Sequence, residues 1–280
     1  MRHLLTIVIL VCFAGFKASY AQEEQEKEIK NIFQGTRFVN AQSANLAEKG
    51  KLNLSIQHRF GDISDGLYEF FGLDLATMRL GFEYGFGNNF NLGIGRSTYL
   101  KTYDGFAKVR FVQQSADFPA TITATAEGAI PSIRNYFPDS HDSFSDKFTG
   151  AIQVQLAKTI NNFGVQISPG YLNTGYLNTE NTSYSLFTLG FGGSVKVSKK
   201  VSLNLEYLHS FNPDYSNTKP LSFGVDLDTG GHLFQLIISN SQQMFGQYLY
   251  TQTNGDWGEG HIYFGFNLIR KFRLKYNDDY

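Results

Sequence analysis

The sequence predicts an all-β fold, an antiparallel up-and-down transmembrane β-barrel of about 12 strands. Three observations predict it. Apolar and polar residues alternate with a period of two through nearly every segment after residue 50. Most of these segments run to about ten residues, the length a tilted strand needs to cross a bilayer, whereas soluble strands average roughly five to six. The connections alternate between short and long, the wiring of a barrel with turns on one side and loops on the other.

The clearest unit is 78–94. Met78, Leu80, Phe82, Tyr84 and Phe86 alternate with Arg79, Gly81, Glu83 and Gly85; after Gly87, Asn88 and Asn89, Phe90, Leu92 and Ile94 alternate with Asn91 and Gly93. This spacing predicts a hairpin in which Tyr84 faces Leu92 and Phe82 faces Ile94, so that both strands show one apolar face.

Arg2 and His3 precede an apolar run ending at Phe16, and Ser19 and Ala21 are small, so 1–21 reads as a signal peptide cleaved between Ala21 and Gln22. Cys12, the sole cysteine, lies inside it, leaving a mature chain with no disulfide or thiolate metal site. With Arg2 and Lys17 removed, 22 basic stand against 25 acidic side chains, so no nucleic-acid partner is expected. Twenty-six Phe, 16 Tyr and 28 Gly beside six Pro favour a chain of strands and turns.

The stretch 22–50 opens on Glu23, Glu24, Glu26, Lys27 and Glu28 and reads as a solvated, partly ordered periplasmic N-terminal leader. The barrel is expected over 51–272. Strands are predicted at 51–60, 78–86, 90–94, 106–113, 120–128, 148–158, 163–171, 184–197, 201–211, 221–227, 232–239 and 261–272, with 273–280 as a C-terminal tail. Longer connections follow Gly61, Pro131, Leu172 and Asn240; with both ends of the chain in the periplasm, every longer loop faces outward. A soluble β-sandwich alternates as well, but it would leave the edges of many long strands to be protected in another way.

If the apolar face meets lipid, the other lines the lumen with Arg59, Arg79, Glu83, Lys108, Arg110, Glu127, Glu206 and Asp226, among Asn53, Gln57, Thr123, Gln153, Gln155, Gln166, Asn204 and Asn267. Four basic and four acidic groups balance, which favours a lumen filled by ion pairs and hydrogen bonds over a strongly ion-selective pore. No cofactor or metal is expected: His232 and His261 fall at opposite ends of neighbouring strands. His141-Asp142-Ser143 has the His-x-Ser spacing of outer-membrane lipid hydrolases, yet it sits in a Pro-flanked loop without the Asn-Gly expected after the Ser, and no enzymatic chemistry is expected from it. The single Trp257 is either a loop reporter or an interface anchor.

Several motifs carry a resemblance. Arg37-Phe38-Val39-Asn40-Ala41-Gln42-Ser43, His58-Arg59-Phe60-Gly61, Phe71-Gly72-Leu73-Asp74, the 78–85 strand, Gly231-His232-Leu233-Phe234-Gln235-Leu236 and Ser239-Asn240-Ser241 resemble an outer-membrane β-barrel family of Bacteroidota, a domain of unknown function. The resemblance implies an outer-membrane barrel and brings no catalytic residues. Its polar members Asn40, His58, Asp74, Gln235 and Asn240 are candidates for a site. Taken together, these readings give a monomeric outer-membrane barrel in contact with lipid and acting on a small solute as a narrow channel or binding barrel. The alternatives are a barrel that binds a partner through its loops and, behind it, an outer-membrane lipid hydrolase.

Overall fold

Alternation decides the architecture, because a chain that is apolar at every second residue buries neither face alone and must close on itself between lipid and a polar interior. In the computed structural model, which describes residues 33–134, 143–175, 183–211, 218–253 and 255–274, the chain forms twelve strands. They are β1 (Lys51–Asp62), β2 (Ala76–Gly85), β3 (Phe90–Ser97), β4 (Tyr103–Val112), β5 (Thr121–Ile130), β6 (Thr149–Ile160), β7 (Phe163–Asn173), β8 (Ser185–Lys196), β9 (Val201–Phe211), β10 (Leu221–Asp228), β11 (His232–Ser239) and β12 (Tyr263–Arg273). Each pairs antiparallel with its sequence neighbours, and β1 closes the barrel on β12 with Gln57 opposite Asn267.

The predicted hairpin is present in its predicted register: Tyr84 pairs with Leu92 and Phe82 with Ile94. Among the described residues two short α-helices lie in the connections, α1 (Phe144–Lys147) and α2 (Gly246–Thr251). Among the described residues no helix is long and apolar enough to cross a membrane.

The two faces separate as the patterning requires. Ile94, Ile152, Phe187, Leu203, Phe223 and Phe264 point outward and are exposed, part of an apolar band around the wall. Arg59, Arg79, Lys108, Gln155 and Asn267 point inward and are fully buried. Glycine makes room for large inward groups, as Gly93 and Gly95 show. A Cβ at Gly93 would stand 2.2 Å from the Phe106 ring, and one at Gly95 2.2 Å from the Arg79 guanidinium.

Two expectations need correction. Residues 33–50 are not a solvated leader: Phe33, Phe38, Val39, Asn40, Gln42, Ser43, Ala44 and Ala47 are all buried, inside the barrel. The error has a plain cause. The acidic cluster at 23–28, which lies outside the described residues, gave its polarity to the whole stretch, while 33–47 is largely apolar or amide-bearing and finds partners on the inner wall. The long connection after β11 does not stay outside either, since 240–253 turns inward and every residue of α2 is buried.

Candidate functional site

The polar interior is built from alternate residues of the strands and completed by residues 33–50, which form a hairpin-shaped plug. The plug enters beside Ser202, whose Oγ accepts from Gln34 Nε2 at 3.2 Å. It reaches its deepest point around Asn40 and leaves where Lys49 bridges Gly85 and the Gly50 N–H donates to the Gly85 carbonyl at 2.8 Å. Entry and exit are therefore at the same end of the barrel, the end that carries the short turns. A tight turn shapes the tip: Phe38 N–H donates to Ala41 C=O at 2.9 Å, and Arg37 and Gln42 pair across it.

Two wall charges hold this tip by its backbone. The Glu206 carboxylate on β9 accepts the successive N–H groups of Val39, Asn40 and Ala41 at 3.3, 3.2 and 2.9 Å. Consecutive backbone amides that converge in a turn make a concavity suited to an anion, and here a buried carboxylate fills it. Five strands around the ring, the Lys108 ammonium on β4 donates to the carbonyls of Thr36, Ser43 and Asn45 at 3.0, 3.1 and 3.0 Å. All three ammonium protons are thereby used.

Neutral groups complete the grip. Gln235 Nε2 and Asn267 Nδ2 donate to the carbonyls of Phe38 and Val39 at 2.8 and 3.1 Å. Gln166 accepts the Ala44 N–H at 2.7 Å and donates to Gln42 C=O at 2.9 Å. Asn40 receives Arg59 Nη2 on its Oδ1 at 2.7 Å and donates from Nδ2 to Ser222 Oγ at 3.0 Å. Phe33, Phe38 and Ala44 pack together with Ala157 of β6, burying the apolar part of the plug.

From the other end, α2 folds inward against β5, β6 and β9. Leu249 and Tyr250 pack on Ala151, Leu172, Leu186 and Leu208, and Tyr250 Oη accepts from Gln153 Nε2 at 3.0 Å. Burial drives the Tyr250 phenol above its ordinary pKa. Asn240 fastens the segment: its Oδ1 accepts Leu221 N–H at 2.8 Å, and its Nδ2 donates to Lys219 C=O and Gly255 C=O at 3.1 and 2.9 Å. Between plug and wall a cavity of about 30 Å³ remains, lined by Thr36, Arg37, Gln57, Arg79, Glu83 and Phe106 among others, enough for water and nothing larger. A wider recess of about 620 Å³ opens at the turn end beside Asn45, Glu48, Arg110 and Lys271. There the Lys51 ammonium, hydrogen-bonded to Glu48, holds that carboxyl below its ordinary pKa.

Seven of the eight lumen candidates, Arg59, Arg79, Glu83, Lys108, Glu127, Glu206 and Asp226, are buried inside the barrel. Arg110 lies at the turn-end rim, with Nη2 donating to Asn88 C=O. The partners of these groups extend beyond the eight. Arg79 pairs with Asp104 of β4, a residue the sequence placed in a loop although it continues the inward row of Phe106 and Lys108. Asp226 accepts from Gln235 at 2.9 Å. Glu83 accepts from Asn91 at 2.6 Å and also from the plug's Thr36 Oγ1, and Glu127 accepts from the plug's Gln42 at 2.7 Å.

Of the motif residues, Asn40, Gln235 and Asn240 join this interior network. His58 stays on the outer face, stacked on Phe266 at 5.2 Å, and Asp74 is exposed in the β1–β2 loop. His141 and Asp142 lie outside the described residues, as do Ala21 and Gln22. Ser143 caps α1, its Oγ accepting Asp146 N–H. Among the described residues no group of His, Cys, Asp or Glu could hold a metal ion.

A family model covers residues 33–272, plug and barrel together, under the description Membrane bound beta barrel domain (DUF5777). The chain belongs to this family. No curated protein matches the sequence. Among solved structures the NanC porin is similar, at 10% identity over 80% of this chain and 100% of its own, with a TM-score of 0.51, a likeness of fold alone. The translocator domain of the autotransporter NalP from Neisseria meningitidis (12% identity, 80% of this chain and 88% of that one, TM-score 0.43) matches more loosely. So does the Acinetobacter baumannii outer membrane protein Omp33 (10%, 81% and 99%, TM-score 0.41).

Proposed function

We propose that this membrane-bound barrel sits in an outer membrane after export, short turns in the periplasm and long loops outside, and that it is a solute-binding or solute-passing barrel closed at rest. Residues 33–50 are the closing element, and their withdrawal toward the periplasm opens the lumen. The barrel works as a monomer surrounded by outer-membrane lipid and has no catalytic chemistry or cofactor of its own. The observation that carries this reading is the grip of Lys108 and Glu206 on plug backbone. Two buried charges are satisfied by a segment that enters and leaves through one mouth, so it can come out without unthreading the wall. The porin fold of the NanC likeness is consistent with it.

Single-channel recording in a planar bilayer tests this. The intact mature chain is expected to insert without conductance steps. A chain with residues 36–45 replaced by Gly and Ser, shown folded by heat-sensitive gel mobility, is expected to give steady steps. Equal conductance of the two would contradict the proposal.

A second reading has its own observation. The β1–β2 loop exposes Leu67, Tyr68, Phe70 and Phe71, with Tyr68 at 90% exposure, an apolar surface suited to a protein partner outside the cell. Binding that is lost on replacing these four by Ser, in a barrel that stays folded and silent, would favour it.

A further inference from the structure

The inner-wall charges differ in where their partners lie, and Arg59, Glu83 and Glu127 each take a plug side chain as one partner. Arg79 with Asp104, and Asp226 with Gln235, are satisfied within the wall. Lys108 and Glu206 are different: Lys108 donates to three backbone carbonyls of the plug, and Glu206 accepts three of its backbone amides with the Asn40 side-chain amide beside them. Both are fully or almost fully buried, at 0% and 2% exposure. Burial of an ion without a partner is costly, so a wall that empties when the plug withdraws must either take in water or replace the plug with a ligand carrying the same groups.

What those groups are is fixed by the grip itself. The groups that meet Lys108 and Glu206 are amides, nearly all of them backbone: one pole accepts amide N–H groups and the other donates to amide carbonyls. We propose that Lys108 and Glu206 form a site for short peptides and related zwitterions, which the plug occupies as an internal ligand in the closed barrel. A free ammonium terminus and the amides beside it would meet Glu206, while a terminal carboxylate and amide carbonyls would meet Lys108. Arg59, which already donates to Asn40 Oδ1 from the same layer of the lumen, adds a second cation near the Glu206 pole and favours a ligand whose own amide or carboxyl oxygen can reach it. A neutral sugar can hydrogen-bond to both groups but brings no charge to neutralise either buried ion. This inference rests on the proposed withdrawal of residues 33–50.

The test is solute entry into vesicles carrying the chain with Gly and Ser at 36–45. Trialanine is expected to enter about tenfold faster than raffinose, and Lys108→Gln and Glu206→Gln in that background are expected to remove the difference. Entry of both at one rate would overturn the peptide site while leaving the plug reading intact; entry of neither would overturn both. The intact chain gives an independent measurement. Millimolar trialanine should speed amide hydrogen exchange of Val39, Asn40 and Ala41 severalfold, and raffinose should not. Exchange that responds to neither solute, or equally to both, would overturn the site.

Discussion

The carboxylate of Glu206, in the middle of β9, accepts the backbone N–H of Ala41 at 2.9 Å, across a separation of 165 residues. With the neighbouring amides of Val39 and Asn40 it holds the tip of the plug by three successive N–H groups. Glu206→Ala should leave three buried N–H groups without an acceptor. Hydrogen bonds to charged groups contribute about 1.5–3 kcal/mol each and are not additive. The expected loss of plug anchoring is about 2–3 kcal/mol, read as amide exchange at 39–41 some hundredfold faster while strand amides are unchanged. Glu206→Gln keeps one acceptor and should lose about half as much.

Lys108 and Glu206 act on one hairpin from opposite sides. Lys108→Met should cost about 2 kcal/mol of anchoring through the unmet carbonyls of Thr36, Ser43 and Asn45. Since either change frees the same segment, the double variant should cost less than the two single losses combined, a coupling of about 1 kcal/mol. Strict additivity in exchange or protease protection of 33–50 would show that the two groups hold independent elements.

Gly85 lies where the plug leaves the lumen. A Cβ there would stand 2.4 Å from the Glu48 carbonyl and 2.6 Å from that of Ala47, backbone atoms with little freedom to yield. Gly85→Ala should therefore destabilise the plug exit by about 1–3 kcal/mol, as overpacking does. Limited proteolysis near residues 47–50 is the check: faster cleavage than in the parent chain is expected, with the barrel core still resistant.

Trp257 packs edge-on against Phe223 of the apolar outer band, ring centroids 5.8 Å apart, and its Nε1 donates to Leu221 C=O at 3.0 Å. This is the geometry of an aromatic ring at a membrane interface. In vesicles its fluorescence should be quenched by lipids brominated near the headgroup. Insensitivity to brominated lipid, with quenching by aqueous iodide instead, would place the ring away from the lipid.

The barrel was legible in the sequence because strand pairing needs only local alternation and turn chemistry: the register Tyr84 to Leu92 follows from Gly87, Asn88 and Asn89 alone. Inward direction was equally legible, since parity along each strand assigns it, and Lys108 and Glu206 were found that way. The plug was not legible. Its partners lie on strands far along the chain, and Phe38 to Ser43 has no two-residue or helical period to show that it is buried. Asp104 was missed for a smaller reason: β4 begins at Tyr103, earlier than the polar run around Lys101 suggested, and its ion pair with Arg79 depends on that one added turn of the pleat. The inward fold of α2 was hidden because its burial depends on the barrel's interior surface, which no local pattern reports.

The position of the plug can be tested without any assumption about transport. Cys12 is the sole cysteine, so in a Cys12→Ser background Asn40→Cys with Ser222→Cys introduces a single pair, where Asn40 Nδ2 and Ser222 Oγ now stand 3.0 Å apart. In the folded barrel this pair is expected to oxidise readily to a disulfide, protecting both thiols from maleimide until the protein is reduced. Two cysteines that stay reduced and both react with maleimide in the folded protein would contradict the account of a lumen closed by residues 33–50.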